Sequence, residues 1–209
     1  MISRPRALLC LTAGLALLVG SGVAACNAAP PPPVGGDTVT ALASSSPPPI
    51  SRSPSVPARA RAVAPAELRI PAMDLDATVT PVGVDRNGDF AVPPSVDRVG
   101  WYRYGPGFAA DAGSIVIAGH VDSAAQGEGA FFKLGALEIN DKITLYDQTG
   151  ASREFEVVAR ERYAKTRIPL DRYFARDGRV RLTLITCGGP FDRRTGHYRD
   201  NVVVTAAPV

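Results

Sequence analysis

Cysteine and histidine are scarce in this 209-residue sequence, which holds three of the first and two of the second. Cys10 and Cys26 both lie near the amino terminus, so Cys187 stands alone in the rest of the chain and no disulfide framework can staple a fold there. A large charge of either sign is also missing. Basic residues number 23 and acidic residues 20, for a net charge of +3, and no basic stretch is interleaved with aromatics, so nucleic acid is set aside as a partner. No carboxylate cluster has metal-ligand spacing, so neither a metal nor another cofactor is expected. Internal repeats are absent, as is any long hydrophobic period of 3.6 residues.

What is present is unevenly distributed. Arg4 and Arg6 precede an uncharged run from Ala7 to Ala25, in which glycines and small residues lead up to Cys26. Residues 1–26 therefore read as an export or anchoring segment. Val23-Ala24-Ala25-Cys26 resembles a bacterial lipobox, with Cys26 the lipidated residue; the alternative is an uncleaved spanning helix, since about 20 apolar residues cross a bilayer. In either case the rest of the chain is expected outside the cytoplasm, tethered to the membrane. Ten of the 19 prolines fall between Pro30 and Pro65. Residues 27–65, rich in Pro, Ala and Ser, are expected to be a disordered, semi-rigid linker with too little apolar surface to offset ordering entropy.

Residues 66–209 form the expected folded domain, and the hydrophobic fraction of 45% is enough for a core. Short alternating or β-branched runs alternate with turn residues. Ala77–Val84 and Asp89–Val92 flank Asn87-Gly88, and Lys142–Asp147 and Arg153–Tyr163 flank a second turn, both with hairpin character. Ser114–Val121, Arg179–Cys187 and Asn201–Thr205 read as further strands, with helical turns near Gly129–Leu134 and Leu170–Phe174. The fold class is all-β, a sandwich or barrel.

Chemistry concentrates at three points. In Leu182-Thr183-Leu184-Ile185-Thr186-Cys187-Gly188-Gly189-Pro190, alternation puts Thr183, Ile185 and Cys187 on one face, and Gly-Gly-Pro is expected to end the strand at the thiol. The thiolate is the reactive form, so a nucleophilic cysteine needs a base or cation nearby. His120 closes an apolar strand in Ala118-Gly119-His120-Val121-Asp122, whereas His197 sits in the polar Arg194-Thr195-Gly196-His197 and reads as solvated. Arg199 opens the last strand and is expected across from Cys187, where it could stabilise a developing oxyanion. Asp122 reads as an orienting carboxylate for His120 or a plain turn residue, and Thr186 as a hydrogen-bond donor to substrate or a strand-packing residue. Trp101, Tyr102 and Tyr104 line a cleft or belong to the core.

Thr183-Leu184-Ile185-Thr186-Cys187, Ala118-Gly119-His120 and Arg199, in that order, resemble the signature of the sortases, over roughly Leu68 to Thr205. Cys-Gly-Gly-Pro-Phe-Asp and Tyr-Arg-Asp-Asn-Val-Val-Val look most like the class F actinobacterial branch, with class E the alternative. The resemblance implies a closed eight-stranded β-barrel on the outer face of a Gram-positive-type membrane. It also implies a thiol transpeptidase: Cys187 cleaves a Leu-Pro-x-Thr-Gly-like sorting motif, His120 serves as general acid and base, and Arg199 holds the oxyanion. The acyl group would pass through a thioester to an amine such as that of lipid II. The lipobox-like Cys26 departs from the membrane helix usual in that family. Rival functions are another wall-modifying cysteine transpeptidase, of which the L,D type would have a His-Gly-Cys grouping, and a non-catalytic β-barrel lipoprotein or binding module.

Overall fold

The computed structural model describes residues 31–44, 62–86 and 88–209. Cys26, the export segment and residues 27–30 and 45–61 of the linker lie outside the described residues. Among those described, no helix is long and apolar enough to cross a membrane.

Eight strands close a barrel in the order β1-β2-β3-β4-β9-β10-β8-β7. They are β1 (Pro65–Ile70), β2 (Leu75–Val82), β3 (Val99–Tyr102), β4 (Ser114–Gly119), β7 (Lys142–Asp147), β8 (Ser152–Ala164), β9 (Arg181–Asp192) and β10 (His197–Pro208). The short β5 (Asp122–Ser123) and β6 (Gly127–Glu128) pair with each other outside it. Leu68, Ile70, Ile115, Ile117, Leu145, Phe155, Leu182, Leu184 and Val204 fill the interior. The alternation of β8 fits one wet and one buried face, whereas every residue of β4 is buried, as suits a strand covered on both sides. The all-β closed barrel is thus as the resemblance implies, with a short helix α2 (Leu170–Tyr173) and a tight turn at Leu134–Ala136 where helical turns are expected.

Three features differ from the sequence reading. Val99-Gly100-Trp101-Tyr102, read there for its aromatics, is a barrel strand. Its pairing with β2 is parallel, as is that of β4 with β9, so two of the barrel contacts come from long connections and not hairpins. Asn87 lies outside the described residues; around it Asp85 and Asp89 are joined by hydrogen bonds, yet the return segment makes only an isolated bridge, Val84↔Phe90, because β3 takes the edge of β2.

The third concerns the linker. Residues 31–44 are ordered on the barrel, which corrects the expected disorder for this stretch. Val34 pairs with Arg160 of β8 in both directions, at 2.7 and 2.9 Å, and α1 (Gly36–Ser44) follows. Val39 is fully buried against Ala159, Tyr173 and Val203, and Leu42 is buried beside it in sequence. The Arg172 guanidinium donates to the Gly36 carbonyl at 2.7 Å and lies 3.3 Å from Glu161, so this strap and the connection from β8 to β9 are cross-linked.

Candidate active site

β4 and β9 run in parallel toward one end of the barrel, in register from Ser114↔Arg181 to Ala118↔Ile185. Parallel pairing keeps side chains in step, so His120 and Cys187, two residues beyond the last pair, emerge on the face of Ala118 and Ile185. Ile115, Ile117, Leu182 and Leu184 point into the core, so that face is the outer one. A side chain adds a further tie past the backbone ladder. Thr186 Oγ1 donates to the Gly119 carbonyl at 2.8 Å, linking the residue before Cys187 to the residue before His120.

Cys187 is a free thiol, half-buried. His120 is also half-buried, and its Nε2 lies 2.9 Å from the Pro93 carbonyl. A carbonyl can only accept, so Nε2 carries the hydrogen and Nδ1 is the accepting nitrogen of the neutral ring. The carbonyl oxygen of His120 is itself held by the Phe131 N–H at 3.0 Å. A half-buried thiol thus shares a face with an imidazole that a third group orients, and a cysteine nucleophile needs such a neighbour.

Ile185, on the Cys187 face, packs like Ile168 and Phe174 against the cluster of Val39, Ala159, Tyr173 and Val203. Tyr102 meets Phe174 edge-on at 5.2 Å and Phe90 at 6.0 Å, so part of the aromatic set lies on this outer side. Trp101, by contrast, is core. Tyr173 anchors the wall from beneath: its hydroxyl donates to Glu161 at 2.6 Å, and burial pushes its proton affinity far above the ordinary tyrosine value.

The remaining expected residues sit differently. β9 does not end at Gly188-Gly189-Pro190; it continues to Asp192, so Cys187 lies within a long strand, at the point where the β4 ladder stops. Pro190 cannot donate a ladder bond and Gly189 has φ of +72°, so the strand passes this point with a register break and does not terminate. Asn201, not Arg199, faces Cys187 across the β9–β10 pair. Arg199 falls at the break, its side chain 65% exposed, with Nη2 3.3 Å from Asp192 Oδ2. The N–H of Arg194 and then the Arg199 charge hold the Asp192 carboxyl below the usual carboxylate range. Asp122 accepts a hydrogen bond from the Tyr198 hydroxyl, and His120 instead uses Pro93. His197 is exposed at the start of β10. Sequence reasoning missed Tyr198, Asn201 and the Pro93 carbonyl; only Tyr198, next to Arg199, carried a chemical signal.

The sortase domain family matches residues 68–209. No curated protein matches the chain. Among solved structures it is similar to sortase C-1 from Actinomyces oris, at 19% identity and a TM-score of 0.54 over 68% of this chain and 72% of that one. It is similar also to a lid mutant of sortase A from Corynebacterium diphtheriae, at 22% identity and a TM-score of 0.53 over 77% and 83%. Sortase A of Listeria monocytogenes matches at 19% identity and a TM-score of 0.51 over 71% and 88%. The chain spans about two thirds of the length of the first sortase C structures it matches. At these identities the likeness is one of fold.

Proposed function

The chain belongs to the sortase family of cysteine transpeptidases, and from that premise we propose that Cys187, His120 and Arg199 carry the reaction on a Leu-Pro-x-Thr-Gly-like sorting signal. The observation that supports this best is the parallel register of β4 and β9 with the Thr186–Gly119 bond, which directs thiol and imidazole to one face. Cys187 passes its thiol proton to His120, its sulfur attacks the carbonyl carbon between Thr and Gly, and the electron pair of the C=O bond moves to oxygen. Collapse of that tetrahedral species expels the glycine amine, which takes a proton from His120, leaving a thioester on Cys187. An amine acceptor then attacks the thioester, His120 takes its proton, and the thiolate leaves. Arg199 would exchange Asp192 for the substrate oxygen, a move of an exposed side chain on an exposed hairpin end.

The finer assignments rest on sequence motifs. Cys187-Gly188-Gly189-Pro190-Phe191-Asp192 favours class F over class E, and an acceptor amine such as that of lipid II fits a membrane-tethered enzyme at the cell surface. Cys26 would carry the tether. Mass spectrometry of the protein mixed with a sorting peptide tests the reading: an acyl adduct on Cys187, absent in Cys187→Ala, is expected. An unmodified thiol together with unchanged turnover in Cys187→Ala would refute it.

A further inference from the structure

The end of the barrel that carries Cys187 is also the end from which the chain leads back to the anchoring segment. β8 runs toward that end, since Arg162 pairs with Val202 and Val202 with Thr186, the neighbour of Cys187. The strap bridges β8 antiparallel at Val34↔Arg160, so the residues before Val34 lead toward the same end. Arg160 donates to the Pro32 carbonyl at 3.0 Å, and Pro31, Pro33, Gly135, Arg162 and Val202 meet around one crevice. Only residues 27–30 separate Pro31 from Cys26. Five steps of extended chain reach no more than about 18 Å, against about 120 Å for residues 27–64 as a free Pro-rich spacer.

Cations gather at this end, although the chain as a whole carries only +3. Lys165 and Arg167 lie in the turn that follows β8, and Arg193 and Arg194 lie between β9 and β10; all four are exposed. Ala164, just before that turn, pairs with Asp200 of the hairpin, so the two basic segments flank one edge. Among the described residues, none of these four cations forms an ion pair. Of the nearby carboxylates, Asp192 is taken by Arg199 and Asp200 packs at Gly189. Asp122 and Glu128 lie across the site on the strands that follow His120, and Asp97 shares a cavity with Glu128. Phe191, 51% exposed, adds an apolar side chain next to the cations. Unpaired cations beside an aromatic, at the end where a short tether enters, suit anionic lipid headgroups. We propose that the catalytic end of the barrel rests on an anionic lipid surface through Lys165, Arg167, Arg193 and Arg194, with the docked strap as the short tether that turns this end to the membrane. The proposal rests on the membrane tether of the reading above, and it brings Cys187 toward the plane in which a lipid-linked amine acceptor lies.

Trp101 is the sole tryptophan, and it pairs with Ile117, two residues short of Gly119, so its emission reports how near the catalytic end lies to a surface. The test is energy transfer from Trp101 to a dansyl-headgroup lipid. The full chain is recovered from membranes and reconstituted in vesicles of phosphatidylcholine, alone or mixed with phosphatidylglycerol. Transfer should be higher on the anionic vesicles, and 1 M salt, which shortens the screening length to about 3 Å, should abolish the difference. Each cation at such a surface is worth about fivefold in docked population. The quadruple variant Lys165→Gln, Arg167→Gln, Arg193→Gln, Arg194→Gln should therefore lose the excess transfer, as that population falls on the order of several hundredfold. Val39→Asp, which releases the strap, should lower transfer on both kinds of vesicle, and unchanged transfer there would refute the role of the strap. If the quadruple variant fails to fold, Arg193→Gln with Arg194→Gln and the salt series decide in its place. Equal transfer on neutral and anionic vesicles, or wild-type transfer in the quadruple variant, would overturn the proposal. Binding of a soluble anionic polymer alongside equal transfer would assign the cations to the wall instead. A full chain that does not stay with neutral vesicles would sink the tether and the proposal with it. Turnover of a soluble sorting peptide in detergent does not depend on these cations, so its failure would count against the sorting reaction alone.

Discussion

Thr186→Val separates geometry from composition at the site, because valine matches threonine in volume and removes only the hydroxyl. The backbone ladder between β4 and β9 stops at Ala118↔Ile185, and the Thr186 hydroxyl on the Gly119 carbonyl, at 2.8 Å, is the next link toward His120 and Cys187. Thr186 is only 4% exposed and Gly119 is buried, so water does not replace the lost donor. Leaving a buried carbonyl unsatisfied costs about 1–3 kcal/mol. For a domain of this size, each kcal/mol lowers Tm by about 2–4 °C, so a fall of roughly 4–8 °C is expected at the middle of that range. The kinetic effect should be larger in proportion, since a misplacement of about 1 Å between reacting groups costs on the order of a hundredfold. Turnover of a quenched sorting peptide should thus drop by about tenfold to a hundredfold, measured well below the melting temperature by fluorescence with circular dichroism as the control. Thr186→Ser keeps the donor and should retain most of both properties. Equal behaviour of the Ser and Val variants, or a lower Tm with wild-type turnover, would show that the hydroxyl does not hold the two strand ends in register for catalysis.

His120→Ala should abolish peptide turnover, whereas the exposed His197 at the start of β10 should tolerate alanine with little change; equal losses would mean that the base is wrongly chosen. In Gly129→Ala the new Cβ would lie 2.3 Å from the His120 carbonyl oxygen, a backbone contact that cannot swing aside, so turnover should fall about tenfold or more. Unchanged kinetics there would mean that the loop yields without moving the imidazole. Val39→Asp would bury a carboxylate against Ala159, Tyr173 and Val203, and a Tm several degrees lower by thermal melting is expected. Wild-type melting would mean that the strap does not dock on the barrel in solution.

The barrel was legible wherever neighbours in sequence are neighbours in space. Lys142–Asp147 and Ser152–Ala164 pair across a short turn, and their alternation announces both the strands and their wet faces. The parallel contacts were not legible, because nothing in Val99–Tyr102 names β2 as its partner, and nothing in Ser114–Gly119 names a partner some 67 residues away, as Thr186 is for Gly119. The order of His120, Cys187 and Arg199 could be read because each ends or begins an apolar run. The strap was hidden for the opposite reason. Its composition is that of a linker, and only the surface made by Ala159, Tyr173 and Val203 turns Val39 into a core residue.

Gly188-Gly189-Pro190 shows how a local rule was right and the inference from it wrong. Glycine and proline do interrupt a β ladder, and the interruption is there: Tyr198 pairs with Phe191 and Asp200 with Gly188, so two residues of β9, Gly189 and Pro190, oppose Arg199 alone. Such a bulge preserves the strand while rotating what lies beyond it. Asp200 fills the space where a Cβ on Gly189 would stand, which is why a residue without one is required there. Past the bulge, Tyr198 is aimed at Asp122 and Arg199 is left at an exposed edge beside Asp192. A strand that stopped at Cys187 would have carried the thiol to a loose loop. The continued strand instead keeps Cys187 under ladder control on its β10 side, and the bulge next to it leaves Arg199 exposed, where the proposed reaction would have it exchange Asp192 for a substrate oxygen.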